Sequence, residues 1–243
     1  PTKADLVNKI IDKIKARIIK FICGWSHTCF LSENNGIYLW GNPFKEYNKK
    51  YKDIQEPINI NNINKKIIDI SSGFNHIVLT AASKQNNNNS LVELYTFGAN
   101  EFGQLGYSTE EIYIDRFNKV TIPKNDLNKN LNITKVSCGA YHTLVQIGSN
   151  LIYGFGQNNC KQIGNYPEEF ISTPKKWNYL IDTQDDKILY DIKCSNGISC
   201  LLYKNKSQIK ENEDIRYFNK NKNDVEIQVN SFLTENFPLK KII

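Results

Sequence analysis

Cys138-Gly139-Ala140-Tyr141-His142-Thr143 reads C-G-x-x-H-T, and so does the earlier stretch Cys23-Gly24-Trp25-Ser26-His27-Thr28. Between them, Ser72-Gly73-Phe74-Asn75-His76-Ile77 keeps the glycine and the histidine. After them, Cys194-Ser195-Asn196-Gly197-Ile198-Ser199 keeps the cysteine and a hydroxyl. The copies return about every 57 residues, and a fixed period of that size marks a repeat architecture. A second landmark keeps the same beat: Trp40-Gly41, Phe97-Gly98 and Phe155-Gly156 are each an aromatic followed by glycine.

Each unit reads as short strands. Ile18 to Ile22 lead into the first turn, His27 to Ser32 form a second strand, and Ile37 to Trp40 return as a third. Asn34-Asn35-Gly36 between them is a hairpin signal, since Asn and Gly tolerate positive φ. Short strands, tight turns and this period predict about four antiparallel strands per unit, one blade of a β-propeller. The fold class expected is all-β, with a short helix over residues 4–16, where Leu6, Val7, Ile10, Ile11 and Ile14 share one helical face. The domains expected are an N-terminal extension, 1–16, and an incomplete propeller, 17–243. The second unit carries an extra polar tract, Lys84 to Ser90, at a hairpin tip, and the fourth has no aromatic-glycine pair. Val225 to Leu233 resumes strand-like alternation, and Lys240-Lys241-Ile242-Ile243 repeats Lys65-Lys66-Ile67-Ile68, so another repeat is expected to begin there.

Composition narrows the function classes. The chain has 243 residues and a formal charge of +6, but arginine stands only at Arg17, Arg116 and Arg216. Arginine supplies most bidentate contacts to bases and phosphates, so direct nucleic-acid binding is not expected. No apolar run reaches the roughly 18–20 residues that span a bilayer, and the first 20 residues carry charge throughout. A soluble protein of the cytoplasm, the nucleus or both is expected. The six cysteines make no C-x-x-C pair. Cys23, Cys138 and Cys194 occupy one repeat position and Cys29 and Cys200 another, as small buried thiols would.

The three histidines, His27, His76 and His142, also share one repeat position. Equivalent positions in neighbouring blades are about 10 Å apart, which does not converge on a metal or a substrate bond. A structural role is expected, with the imidazole bonding backbone groups and tying turn to strand. Gly24, Gly73 and Gly139 are expected where the backbone needs positive φ or close approach. No catalytic, cofactor-binding or metal residues are assigned, and no cofactor is expected.

The C-G-x-x-H-T string, the aromatic-glycine pair and Gly98-Ala99-Asn100-Glu101-Phe102-Gly103-Gln104-Leu105-Gly106 resemble the repeat of the regulator of chromosome condensation family, over roughly residues 17–203. The resemblance implies a propeller that normally has seven blades, so four units are expected to belong to a longer protein. It also implies an alternative function: guanine-nucleotide exchange on a Ran-type small GTPase, through acidic and histidine side chains and a β-wedge after the aromatic-glycine pair. Here the long insertion, around Asn86, precedes that pair. Cys23-Gly24-Trp25, and Ile152-Tyr153-Gly154-Phe155-Gly156 leading to Cys160-Lys161-Gln162, are similar to a divergent fungal branch, the alpha-tubulin suppressor group. That likeness implies a small zinc protein of diphthamide synthesis and tRNA modification as partner.

The function expected is a non-enzymatic protein–protein interaction scaffold. What varies between units is the loops, 43–56, 84–90, 107–118 and 166–177, and loops on a rigid frame carry recognition. Phe44, Tyr47, Tyr113, Phe117 and Phe170 are the candidate partner-binding anchors, because aromatics dominate binding hot spots. Trp177 lies in the same loops and is read equally as packing between blades.

Overall fold

The computed structural model describes residues 12, 14–41, 47, 54–83, 91–123, 132–178, 187–205 and 226–230. The expected helix at 4–16 lies almost wholly outside them. So do the tract 84–90, the chain end at 240–243 and Phe44. The described residues hold fifteen strands in four antiparallel sheets. Blade one contains β1 (Ile18–Cys23), β2 (His27–Ser32), β3 (Ile37–Gly41) and β4 (Ile54–Asn59). Blade two contains β5 (Lys66–Ser72), β6 (His76–Ser83), β7 (Leu91–Ala99) and β8 (Tyr113–Val120). Blade three contains β9 (Ile133–Cys138), β10 (His142–Ile147), β11 (Leu151–Gln157) and β12 (Phe170–Lys176). Blade four contains β13 (Lys187–Ser195), β14 (Ile198–Asn205) and β15 (Glu226–Asn230). Within each blade the strands pair in chain order, which is the meander expected of one propeller unit.

The first strands β1, β5, β9 and β13 lie side by side in space and define the axis. Each carries a β-bulge at the same repeat position, where the register breaks around Ile19, Ile68, Thr134 and Tyr190. The second strands β2, β6 and β10 are buried on both faces, and β10 is buried at every position although His142, Thr143 and Gln146 interrupt its apolar residues; β14 alternates. One face packs on the preceding blade and the other on the following one. Leu31, Ile37 and Leu39 meet Ile70, Leu79 and Phe97 between blades one and two. Val78 and Leu94 meet Val136, Val145 and Phe155 between two and three. Leu144, Ile152 and Trp177 meet Ile192 and Leu201 between three and four. Trp177 is therefore an interblade packing residue.

Polar links follow the same logic. Lys20 of blade one pairs with Asp69 of blade two, and Lys135 of blade three with Asp191 of blade four, at 2.9 Å. These four residues occupy one repeat position, where lysine and aspartate alternate. At the foot of blade two, buried Glu93 accepts from Lys119 (2.7 Å), Tyr95 (2.7 Å) and Lys65. Burial would raise its pKa, but these bonds outweigh burial and hold the carboxyl at about 2.

Candidate functional site

The turn between the first and second strands is four residues long. It is closed by Gly24 N–H to His27 C=O at 2.9 Å, Gly73 to His76 at 2.9 Å and Gly139 to His142 at 2.8 Å. The two residues between glycine and histidine form the tip and face the end of the blade. The tips are joined in series. Trp25 N–H donates to Phe74 C=O (3.1 Å), Phe74 N–H to Ala140 C=O (3.0 Å), and Ala140 N–H to Asn196 C=O (2.7 Å). All four residues hold one repeat position, so a backbone hydrogen-bond chain runs around the axis through four blades. The turns enclose an open axial groove of about 220 Å³, lined by Gly24, Trp25, Gly73, Phe74, Gly139 and Asn196 among others.

The turn glycines are required by close approach alone. A Cβ on Gly24, Gly73 or Gly139 would overlap the imidazole of His27, His76 or His142. Positive φ belongs instead to the aromatic-glycine pairs, at +108° for Gly41, +113° for Gly98 and +108° for Gly156. There the chain crosses the turn closely, and a Cβ on Gly41 would sit 2.5 Å from Ser26 O.

Each histidine reaches the next blade rather than its own turn. His27 Nε2 lies 2.8 Å from Ser72 Oγ, His76 Nε2 3.0 Å from Thr143 Oγ1, and His142 Nε2 2.9 Å from Ser199 Oγ. The hydroxyls of Thr143 and Ser199 donate to Gln104 C=O (3.2 Å) and Gln162 C=O (2.6 Å). Their lone pairs therefore accept, and His76 and His142 carry the proton on Nε2. Burial keeps the imidazoles neutral, with pKa lowered to about 4 for His27 and about 3 for His76 and His142.

The acceptor carbonyls come from the loop after the aromatic-glycine pair, which is built the same way twice. Asn100 Oδ1 accepts from Leu105 N–H (3.0 Å), and Asn158 Oδ1 from Ile163 N–H (3.0 Å). Gln104 Oε1 accepts from Phe102 N–H (2.8 Å), and Gln162 Oε1 from Cys160 N–H (2.9 Å). Shared lettering in the two loops thus means a shared internal frame, whose tip residues, Phe102 and Cys160, are held outward.

The thiols of Cys29, Cys138 and Cys194 are held protonated. Burial pushes Cys138 and Cys194 up to about 12 and raises Cys29 further. Cys23 departs from the buried reading and is exposed, because the described residues place no sheet on that side of β1. Among the described residues, no three His, Cys, Asp or Glu side chains are grouped as a metal ion needs. No helix there is long and apolar enough to cross a membrane.

The candidate anchors separate. Phe117 is corrected: it is 3 % exposed, because β8 turns it inward against Phe97, with ring centroids 5.2 Å apart. Tyr113 and Tyr47 stack at 5.7 Å and are half-buried at the rim of the same core, and Tyr47 Oη donates to Glu101 at 2.7 Å. Phe170 is 50 % exposed. It is the end of a strip of rings that the loop-centred reading missed. Trp25 and Phe74 lie 4.9 Å apart, Phe74 and Tyr141 5.3 Å, Tyr141 and Phe102 4.7 Å, and Phe102 and Phe170 5.4 Å. Trp25 is 73 % exposed, and the three middle rings are half-buried. The signal was present in the motif itself, since three of the four turn tips hold an aromatic at an x position.

A family model described as the regulator of chromosome condensation (RCC1) repeat matches residues 93–146, and a second model of that description matches residues 18–45. The mouse regulator of chromosome condensation is 26% identical over 169 residues, covering 63% of this chain and 38% of that protein. The guanine nucleotide exchange factor SRM1 of Saccharomyces cerevisiae is 27% identical over 165 residues, covering 63% of this chain and 32% of that protein. The chain thus spans less than two-fifths of the length of these relatives. Yeast RCC1 (Prp20), solved bound to Kap60, superposes with a TM-score of 0.59 at 19% identity, over 79% of this chain and 44% of that one.

Proposed function

We propose that this chain, which belongs to the RCC1-repeat family, is a non-enzymatic scaffold that binds a protein partner through the face formed by its turns and loops. One observation carries the reading. All three histidines are spent on links to the next blade, while a continuous set of aromatic rings is left open on one face. Residues locked into blade-to-blade packing are poor proton carriers, and exposed aromatic surface is the usual mark of a binding site.

The second reading is exchange on a small GTPase, favoured by the similarity to SRM1, which is an exchange factor. The narrower choice of a small zinc protein as partner rests on Cys23-Gly24-Trp25 and on 152–162 alone. Affinity capture with the full chain, followed by nucleotide-release kinetics on any GTPase retained, tests the readings together. The scaffold reading expects a stable protein complex and no acceleration of release. Release accelerated by substoichiometric amounts of the chain transfers the function to the exchange reading.

A further inference from the structure

The strip Trp25–Phe74–Tyr141–Phe102–Phe170 crosses blades one, two and three. The chain as a whole is basic, at +6. The loops that carry the strip are not. Residues 100–112 hold Glu101, Glu110 and Glu111 and no lysine or arginine. Residues 158–170 hold Glu168 and Glu169 against Lys161. The turn tips carry no charge at all. Glu101 adjoins Phe102 in the chain, Glu169 adjoins Phe170, and all of these glutamates but Glu168 are exposed without a basic partner among the described residues. Lys161 Nζ donates to Tyr166 C=O at 2.7 Å, and its charge acts on Glu168, which Lys175 already pairs.

Resting on the scaffold reading, we propose that this strip docks an extended peptide segment bearing arginine, with guanidinium groups stacked on the rings and paired with Glu101 and Glu169. Arginine fits better than lysine because its planar, weakly hydrated head stacks on aromatic faces while its N–H groups reach carboxylates. An acidic or neutral segment meets the same rings with like charge or none at their edge.

The test is fluorescence anisotropy of three labelled nonapeptides, alternating leucine with arginine, with lysine or with glutamate, titrated with the full chain. The arginine peptide binds, the lysine peptide binds about threefold or more weakly, and the glutamate peptide does not bind. Trp25→Ala with Phe170→Ala weakens the arginine peptide by about tenfold or more without shifting Tm, because both rings are exposed. Glu101→Gln with Glu169→Gln weakens it and flattens its salt dependence. Equal binding of the glutamate peptide overturns the proposal, as does indifference to both pairs of substitutions. Self-association of the chain that Trp25→Ala abolishes assigns the strip to a second copy and overturns it too. A wild-type chain that captures its protein partner yet ignores the arginine peptide sinks this proposal alone and leaves the scaffold reading standing.

Discussion

His142 of the third blade and Ser199 of the fourth face each other at 2.9 Å, and Ser199 donates its own proton to Gln162 C=O. One hydrogen-bonded relay thus joins a turn, the next blade's second strand and the loop between them. His142→Ala leaves that hydroxyl buried without its donor and is expected to cost about 1–3 kcal/mol. Ser199→Ala is expected to cost a similar amount, and the double variant less than the two together. A double-mutant cycle by urea denaturation measures the coupling; additive losses would mean that the pair is not linked.

Blade two breaks the motif in two places that compensate each other. Where blades three and four have Thr143 and Ser199, it has Ile77; where they have Cys138 and Cys194, it has Ser72, and Ser72 is the residue that His27 finds. Ser72→Cys is expected to cost about 1 kcal/mol by removing that partner. Adding Ile77→Thr to it is expected to cost less than its effect in the wild-type background, because the new hydroxyl stands where the other blades keep theirs. Thermal melts of the four proteins decide it.

The turn glycines offer a steric test. Gly139→Ala is expected to destabilise by about 2 kcal/mol or more, since the methyl overlaps the His142 ring and the site is buried. Gly197→Ala, at a tip where an added Cβ meets nothing within 4 Å, is expected to stay within about 0.5 kcal/mol of wild type. Equal effects at the two positions would remove the steric account.

Acid should unfold the protein in two stages. The histidines have folded pKa values lowered to about 3 and 4, while the unfolded chain takes up protons near 6.5. The unfolded state binds more protons below 6.5, so stability is complete above that pH and falls as pH drops towards the folded values. Each histidine contributes a slope of up to about 1.4 kcal/mol per pH unit. Glu93, held at about 2, adds its own loss only below its ordinary value of 4.5. Urea titrations between pH 7 and 4 measure the first stage, and His142→Ala should flatten it by about one histidine's share.

The repeat and its strands were legible because period and turn chemistry are local. His27–Ser32 and the aromatic-glycine returns fall where the motif places them. Burial was less legible. Phe117 looks like any loop aromatic in the sequence, yet β8 pairs with β7 through a register shift that aims it at Phe97. The histidine's partner was equally hidden, since it lies 45, 67 or 57 residues away in another blade. The aromatic strip was missed because Trp25, Phe74 and Tyr141 belong to the motif that defines the fold, and their repeat position was read for the turn alone.

The proposed function divides the motif into histidines that hold the blades and aromatics that meet a partner. The partner's affinity for folded His142→Ala, determined alongside the variant's melting temperature, tests that division. A lowered Tm is expected, with an unchanged Kd at temperatures where the variant is folded. A His142→Ala protein that melts like wild type but has lost its partner would contradict it.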